Sequence, residues 1–393
     1  MTDLFLSAPG IVSALGSGSA QTCAALFAAD TSGMRLEDNW VPQAPARVGR
    51  VTAQLPPVPS ALARHDSRNN RLLLAAFAQI APDVAPILAK YGPARIGVVL
   101  GTSTSGIGEA EAAFAARDGS GALPAHFAYE QIEAGDPSLF LAKYLGIGGP
   151  AYTVSTACTS SAKALVSARN LVRAGICDAV ITGGVDTLCR LTIRGFTALE
   201  STSPDLCQPL SRNRRGINIG EAAALFILSA DAGPVAFLGA GESSDAHHIS
   251  APEPQGRGAE AAMRAALRDA GLLPGDIGYL NLHATATVKN DAMESLAVAR
   301  VFADGVAVSG TKPLSGHTLG SAGALEAAFC WHCLADGAGR LPPHAWDGER
   351  DPELPQLDVV GPGRHFGRGR RYAMSNSFAF GGNNASLIFG NAP

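Results

Sequence analysis

The chain has 393 residues, of which 47% are hydrophobic and 16% charged, with a formal net charge of −4 at neutral pH. A chain of this size can bury a large core, and its weakly acidic balance argues against a nucleic-acid partner. Seven cysteines, an odd number, point to reduced thiols in a cytoplasmic setting and not to a disulfide framework.

The opening Leu4-Phe-Leu-Ser-Ala-Pro-Gly10 is apolar, but it has no basic leader and Pro9 and Gly10 interrupt it. It reads as a first strand and turn, not a signal peptide, and no stretch is expected to cross a membrane. A strand precedes Gly101, and Gly101 to Gly146 reads as a helical and loop insertion. Next comes Thr153-Val-Ser-Thr-Ala-Cys158-Thr-Ser-Ser-Ala-Lys-Ala-Leu165, where a β-branched run gives way to small residues and then to Leu165, Leu171 and Val172 at helical spacing. This is a strand-turn-helix elbow with a thiol at its apex. A lone cysteine in an apolar chain is ordinarily a packing residue. At a helix N-terminus, however, the positive end of the macrodipole favours thiolate, and small neighbours leave room for a substrate carbonyl. Ala179-Val-Ile-Thr-Gly-Gly184 is the strand that follows.

A seam is expected near Asp231-Ala-Gly-Pro234. The pair His247 and His248 reads as loop structure, since adjacent residues on a strand face opposite sides. Beyond the seam, Tyr279-Leu-Asn-Leu-His283-Ala-Thr285-Ala-Thr287 is a short strand ending on an imidazole, with two threonines at alternate positions. Thr311-Lys312-Pro-Leu-Ser-Gly-His317-Thr-Leu-Gly-Ser-Ala-Gly323 is a loop leading into a helix rich in small residues. Within that helix Cys330-Trp-His-Cys333 has redox-motif spacing but no second ligand pair nearby, so it reads as packing. Gly337 to Arg371 is a surface connection, and Tyr372 to Asn376 a strand. Each half therefore offers a strand, a small-residue turn and a helix in the same order, a weak repeat at about half the chain length. Strands alternating with helices predict an α/β fold with mainly parallel sheets.

Taken together, the motifs around Cys158, His283 and His317, with Gly10-Ile-Val-Ser-Ala-Leu-Gly16 at one end and Ser375-Asn-Ser-Phe378-Ala-Phe380-Gly-Gly382-Asn-Asn384 at the other, resemble an elongating β-ketoacyl-acyl carrier protein synthase of the thiolase superfamily. His317 marks the elongating type, since initiating synthases carry asparagine there. The resemblance implies a five-layer αβαβα fold of two duplicated halves, 1–230 bearing the nucleophile and 231–393 bearing both histidines. It implies a decarboxylative Claisen condensation between an acyl group on Cys158 and malonyl-acyl carrier protein, with His283 and His317 at the developing enolate. The backbone amides of Cys158 and Phe380 would form the oxyanion hole, with Phe378 and Phe380 at the gate. Lys312 and Glu294 match an ion pair ordering the histidine loops, though from the residues alone they could be an ordinary surface pair. Thr285, Thr287 and Ser250 match contacts to the phosphopantetheine arm, and Thr104 falls at the acyl pocket. No metal or redox cofactor is implied. The implied partners are acyl carrier protein, malonyl and acyl thioesters, and a second ketosynthase or chain-length factor in a homodimer or heterodimer.

Departures from the family pattern are Ala284, Ala379 and Asn383, where glycine, glycine and threonine are usual, and Gln208-Pro-Leu-Ser211 with Arg214-Arg215-Gly216, which alter the charge of the carrier footprint. Alanine tolerates positive φ poorly, so the Phe380 gate is expected to swing differently. The small, partly polar Thr104 suggests an unusual acyl chain, as in ketosynthases of aryl-polyene and other specialised type II pathways. Two alternatives remain from the residues: a chain-length partner with a mainly structural role, which would lack the nucleophile, and a thiolase acting on coenzyme A thioesters.

Overall fold

A computed structural model describes residues 3–391 apart from positions 43, 118, 368 and 370. Apolar, β-branched runs bounded by glycine or polar turns form the main strands. In the first half these are β1 (Phe5–Leu6), β2 (Gly10–Ser13), β3 (Ile96–Gly101), β4 (Ala151–Val154), β5 (Ala179–Asp186) and β6 (Ala222–Ser229). In the second they are β7 (Val235–Ser244), β8 (Tyr279–Asn281), β9 (Ala307–Ser309), β10 (Asp358–Val359), β11 (Tyr372–Ala379) and β12 (Asn383–Asn391). The helices that pack on them are α1 (Arg68–Tyr91), α2 (Asp136–Leu145), α3 (Ser160–Arg173), α4 (Arg190–Ala198), α5 (Arg257–Ala270), α6 (Val288–Val301) and α7 (Ala322–Ala335).

The strands run in the order β10-β9-β8-β11-β12-β7-β1-β6-β5-β3-β4. Sequence pattern predicts mainly parallel pairing, and the observed sheet is mixed. In the first half β6 pairs antiparallel with β5, and β3 lies parallel to both β5 and β4. The second half repeats this, with β12 antiparallel to β11 and β8 parallel to both β11 and β9. The crossover strands of each half are parallel because a helix intervenes, β11 and β12 pair antiparallel through a short turn, and β5 and β6 pair antiparallel across the long connection 187–221 that carries α4. The short β1 bridges the halves by pairing with both β6 and β7.

Helices complete five layers. Helix α1 packs outside β2 and β6, α5 packs outside β7 and β12, and α3 and α7 meet between the two half-sheets. Every residue of α7 from Ala322 to Leu334 is buried, as a helix enclosed on all sides requires. The sequence gives no reason to expect a membrane-spanning stretch, yet α1, 24 residues long, is apolar enough to qualify by length and composition. Its Leu72, Leu73, Phe77 and Ile80 are packed in the core of the first half, which accounts for its apolar character.

The middle layer sits close to the strand ends because small residues line the contact. A Cβ on Gly101 would lie 2.3 Å from the backbone nitrogen of Ser161, and one on Gly323 would lie 2.8 Å from that of Ala162. Gly101→Ala should therefore push α3 away from β3 at a cost of about 1–3 kcal/mol or more. The expected result is a lower urea midpoint with an unchanged slope. An unchanged midpoint would show that the layers are not held this tightly.

Candidate active site

Two equivalent crossovers, one from each half, bring their turns together, with Cys158 past the end of β4 and His317 past the end of β9. The first carries Cys158, one residue before the N-cap of α3, on a sharp turn made by Ala157 in the left-handed region at φ 54°. Small hydroxyl residues hold this turn: Ser160 Oγ donates to the Ala157 carbonyl at 2.6 Å, and Ser103 Oγ donates to the same oxygen at 3.3 Å. The second turn carries His317, whose backbone N–H donates to the Asn218 carbonyl at 2.6 Å. His283 follows β8 directly.

The three side chains meet. His317 Nε2 lies 3.0 Å from Cys158 Sγ, and the two imidazoles stand nearly perpendicular with ring centroids 5.3 Å apart. The edge of Phe378 closes the other side of His283 at 5.9 Å. Cys158, His283 and His317 are 6%, 2% and 2% exposed, so all three act in a dry environment. Burial drives both imidazoles well below the usual histidine range, and the nearby Lys312 charge adds to the effect. Both are therefore neutral at physiological pH.

The thiol differs from the sequence expectation. Its place at a helix N-terminus suggests thiolate, but burial pushes it up to about 12, against the lowering influence of Lys312 and of the Phe380 backbone amide directed at the sulfur. The desolvation of a buried anion outweighs a partial helix charge. The resting group is a neutral thiol with an imidazole in hydrogen-bonding reach.

Behind the imidazoles lies Lys312, 2% exposed. Its ammonium donates to the His283 carbonyl and approaches His283 Nδ1 at 3.4 Å. An ammonium has only donors, so Nδ1 accepts and the proton of this neutral ring sits on Nε2. The resemblance pairs Lys312 with Glu294, and here the structure corrects it: the carboxylate bound to Lys312 is Glu326, on α7. Glu294 instead accepts the backbone N–H groups of His283 and Ala284, both at 2.8 Å, and so fixes the histidine turn through its backbone. Burial raises Glu294 to about 7 against those two bonds. Glu326 was legible in principle, as the lone carboxylate in an otherwise apolar helix, which cannot stay buried without a cation.

Cys158, His283 and His317 open into a cavity of about 330 Å³. Phe378, Phe380, Thr285, Thr287 and Ser250 line it too, as the resemblance implies. Phe380 leans on Phe196 of α4 with ring centroids 5.3 Å apart. The hydroxyls of Thr285 and Thr287 lie 2.9 Å apart on one wall. Ser250 sits at the mouth, its turn held by His248 Nδ1, which accepts from the Ser250 and Ala251 amides. Thr104 does not line this cavity. It is 1% exposed and its hydroxyl donates to Asp186 at 2.7 Å, so its polarity is satisfied inside the fold.

The glycine-to-alanine departures have unequal consequences. Ala284 takes φ 40°, a real strain, whereas Ala379 ends β11 in extended conformation and the turn falls on Gly381 and Gly382 at φ 83° and 74°. Asn383 accepts from Lys163 Nζ at 3.2 Å. The ligand atoms of Cys158, His283 and His317 lie within 4.8 Å of one another, close enough to hold a metal ion. The buried Lys312 ammonium beside them repels a second cation, which suits the trio to developing negative charge instead. Cys330 and Cys333 are wholly buried in α7 and gather no third ligand among the described residues.

Residues 49–232 match the family described as "Beta-ketoacyl synthase, N-terminal domain" and residues 236–345 match "Beta-ketoacyl synthase, C-terminal domain". Nodulation protein E of Rhizobium meliloti is 40% identical over 257 residues, 62% of this chain and 63% of that protein. A 3-oxoacyl-[acyl-carrier-protein] synthase 2 of Staphylococcus aureus is 36% identical over 262 residues, 62% of this chain and 64% of that protein. The matched stretch thus spans a little under two thirds of these curated relatives. Among solved structures, a ketosynthase in complex with its chain length factor from Xenorhabdus doucetiae is 46% identical, with a TM-score of 0.94, covering 100% of this chain and 98% of that one.

Lys312→Met should leave Glu326 buried and unpaired at a cost of about 3–5 kcal/mol. Lys312→Met combined with Glu326→Leu should recover most of that loss in denaturant unfolding at pH 7, and Lys312→Met combined with Glu294→Gln should not. Recovery by the second combination would restore Glu294 as the partner.

Proposed function

The chain belongs to the β-ketoacyl synthase family, and from that premise we propose that it catalyses decarboxylative condensation of an acyl group, held on Cys158, with malonyl-acyl carrier protein to give β-ketoacyl-acyl carrier protein and CO2. The observation that carries this reading is the buried meeting of one thiol with two neutral imidazoles beneath a cavity wide enough for a thioester arm.

The steps follow from the geometry. Cys158 attacks the acyl thioester, its proton passing to the departing carrier thiolate, and the acyl group remains on sulfur. Malonyl carrier protein then places its thioester carbonyl against the imidazoles. Breaking the carbon–carbon bond releases CO2 and leaves an enolate whose oxygen receives hydrogen bonds from the Nε2–H groups of His283 and His317. Lys312 holds His283 in that donor tautomer. The enolate carbon attacks the acyl thioester, the Cys158 and Phe380 amides donate to the tetrahedral oxyanion, and collapse expels the Cys158 thiolate, which takes up a proton from solvent through the cavity.

Phosphopantetheine arrives on the carrier, so no separate cofactor is invoked. The cavity mouth combines Arg215 and Lys289 with the exposed Leu199 and Val288, a mixed basic and apolar rim suited to an acidic carrier. Arg212 and Arg214 are engaged by Glu349 and Asp351, so Arg215 is the cation of that segment placed at the cavity. For a second subunit, the support is strand β4, which ends the sheet with an unpaired edge beside the exposed Tyr144 and Tyr152. The Xenorhabdus doucetiae ketosynthase is paired with a chain length factor, which favours a heterodimer here. Such a pair belongs with specialised polyene or polyketide synthesis. The family matches end at 232 and resume at 236, which supports division into halves 1–230 and 231–393. All seven cysteines are free thiols, as expected of an enzyme working in the cytoplasm.

Intact-mass measurement after incubation with a panel of acyl carrier proteins should show one acyl adduct on the parent and none on Cys158→Ala, which should keep its fold. An adduct on the alanine variant would refute the nucleophile. His283→Ala should lose CO2 release by about 10²-fold or more while acyl loading falls far less, because the donor it removes acts on the enolate alone. Equal loss in both half-reactions would contradict that division of labour.

A further inference from the structure

Asp186, the last residue of β5, lies wholly buried and accepts five hydrogen bonds from two different turns. Its Oδ1 receives the backbone N–H groups of Ser103 and Thr104 and the Thr104 hydroxyl, each at 2.7 Å, and the Thr102 hydroxyl at 3.0 Å. Its Oδ2 receives the backbone N–H of Ser321 at 2.7 Å. Ser321 closes the turn that begins at His317. Ser103, in turn, donates to the Ala157 carbonyl beneath Cys158. One carboxylate therefore joins the support of the thiol to the loop of the imidazole facing it.

The turns it joins are strained. Ser105, Ala157 and Leu319 take φ of 43°, 54° and 52°, in the region that disfavours side chains. Such residues persist only where their surroundings over-determine them. There is no room to relax either, since a Cβ on Gly320 would lie 2.7 Å from the Ser103 nitrogen and one on Gly184 3.0 Å from Ser321 Cα.

We propose that Asp186 is a positioning residue for the condensation, clamping the Ser103 turn and the His317 loop so that His317 Nε2 stays within hydrogen-bonding distance of Cys158 Sγ. This rests on the function proposed above. The clamp works because a carboxylate is acceptor-only on both oxygens and so can satisfy donors arriving from opposite sides. Both oxygens accept from N–H or O–H donors, which holds the group as the carboxylate; burial raises its carboxyl to about 6 against the Thr104, Ser103 and Thr102 donors, and its charge also raises the Cys158 thiol.

Asp186→Asn is the discriminating variant. Its amide oxygen can keep the four donors on one side, which turns the amide nitrogen against the Ser321 N–H, donor facing donor. The His317 loop is then released while the Ser103 turn is kept. Condensation kcat should fall about ten- to a hundredfold, the range expected when a buried donor loses its acceptor, with KM for the carrier substrate little changed. Alkylation of Cys158 by iodoacetamide should move the opposite way, rising at pH 7 to 8 with its pH midpoint shifted down, because a buried negative charge has gone. A purely structural residue would slow both. Ser321→Pro removes the same N–H from the other side, at a residue whose φ of −81° already suits proline. The double variant should be no worse than Asp186→Asn, since the facing donors no longer clash.

Additive losses, or unchanged condensation in Asp186→Asn, would overturn the proposal. So would parallel loss of alkylation and condensation in a variant with native near-ultraviolet circular dichroism. Should Asp186→Asn fail to fold, Ser321→Pro decides alone: slowed condensation with alkylation intact supports the clamp, and unchanged condensation overturns it. A parent that alkylates on Cys158 but never condenses would instead sink the proposed function, with the alkylation profiles still testing the clamp.

Discussion

An ammonium buried beside two imidazoles governs this site. Lys312 lies in the dry middle of the protein, where an unpaired charge would cost several kcal/mol, and it is retained because Glu326 neutralises it and the His283 carbonyl accepts from it. Its presence dictates the state of everything near it. His283 must be neutral with its proton on Nε2, and a metal ion in the trio would face repulsion. With the ion pair in place, the cavity presents fixed hydrogen-bond donors and no mobile charge, the condition under which the enolate oxygen of the proposed reaction would gain most from each bond.

The fold delivers those donors by duplication. Two crossovers with the same antiparallel, parallel, parallel strand order converge on one layer of helices, and the segments that follow β4, β8 and β9 carry Cys158, His283 and His317. The turns are tight because they must be: Ala157, Ala284, Ala286 and Leu319 all take positive φ without being glycine. Their strain is held by carboxylates that accept from backbone amides, Glu294 for the His283 turn and Asp186 for the His317 loop. Glu294 and Asp186 thus fix backbone, and the imidazoles and the thiol face the cavity.

Much of this was legible in the residues. Cys158 and His283 stand where a strand gives way to small residues and His317 in a loop that leads into a helix of small residues, and that local pattern survives folding. The cavity wall at Thr285 and Thr287 came from the resemblance; alternation along an extended segment does not hold, since Ala284 and Ala286 take positive φ, yet the two hydroxyls still lie 2.9 Å apart. What sequence misplaced were interactions decided by packing between distant elements. Lys312 lies in sequence near both Glu294 and Glu326, and only the enclosure of α7 in the middle layer determines which carboxylate reaches it. Thr104 reads as a pocket residue by position, but the end of β5 brings a buried carboxylate to its hydroxyl. The mixed sheet was missed because β11 returns into β12 by a short turn and β5 into β6 by a long connection carrying α4, facts of connection that apolar runs do not record. The thiol was misjudged because helix charge is visible in sequence and desolvation is not.

The central claim is that the imidazoles, held neutral by burial and by Lys312, stabilise the enolate independently of the nucleophile. Release of CO2 from malonyl-acyl carrier protein by Cys158→Gln tests it most directly, since the amide fills the place of the acylated thiol and removes its reactivity. The account predicts CO2 release well above background with no condensation product, abolished when His283→Ala is added. Background-level release from Cys158→Gln in a folded protein, or release that survives loss of His283, would contradict it.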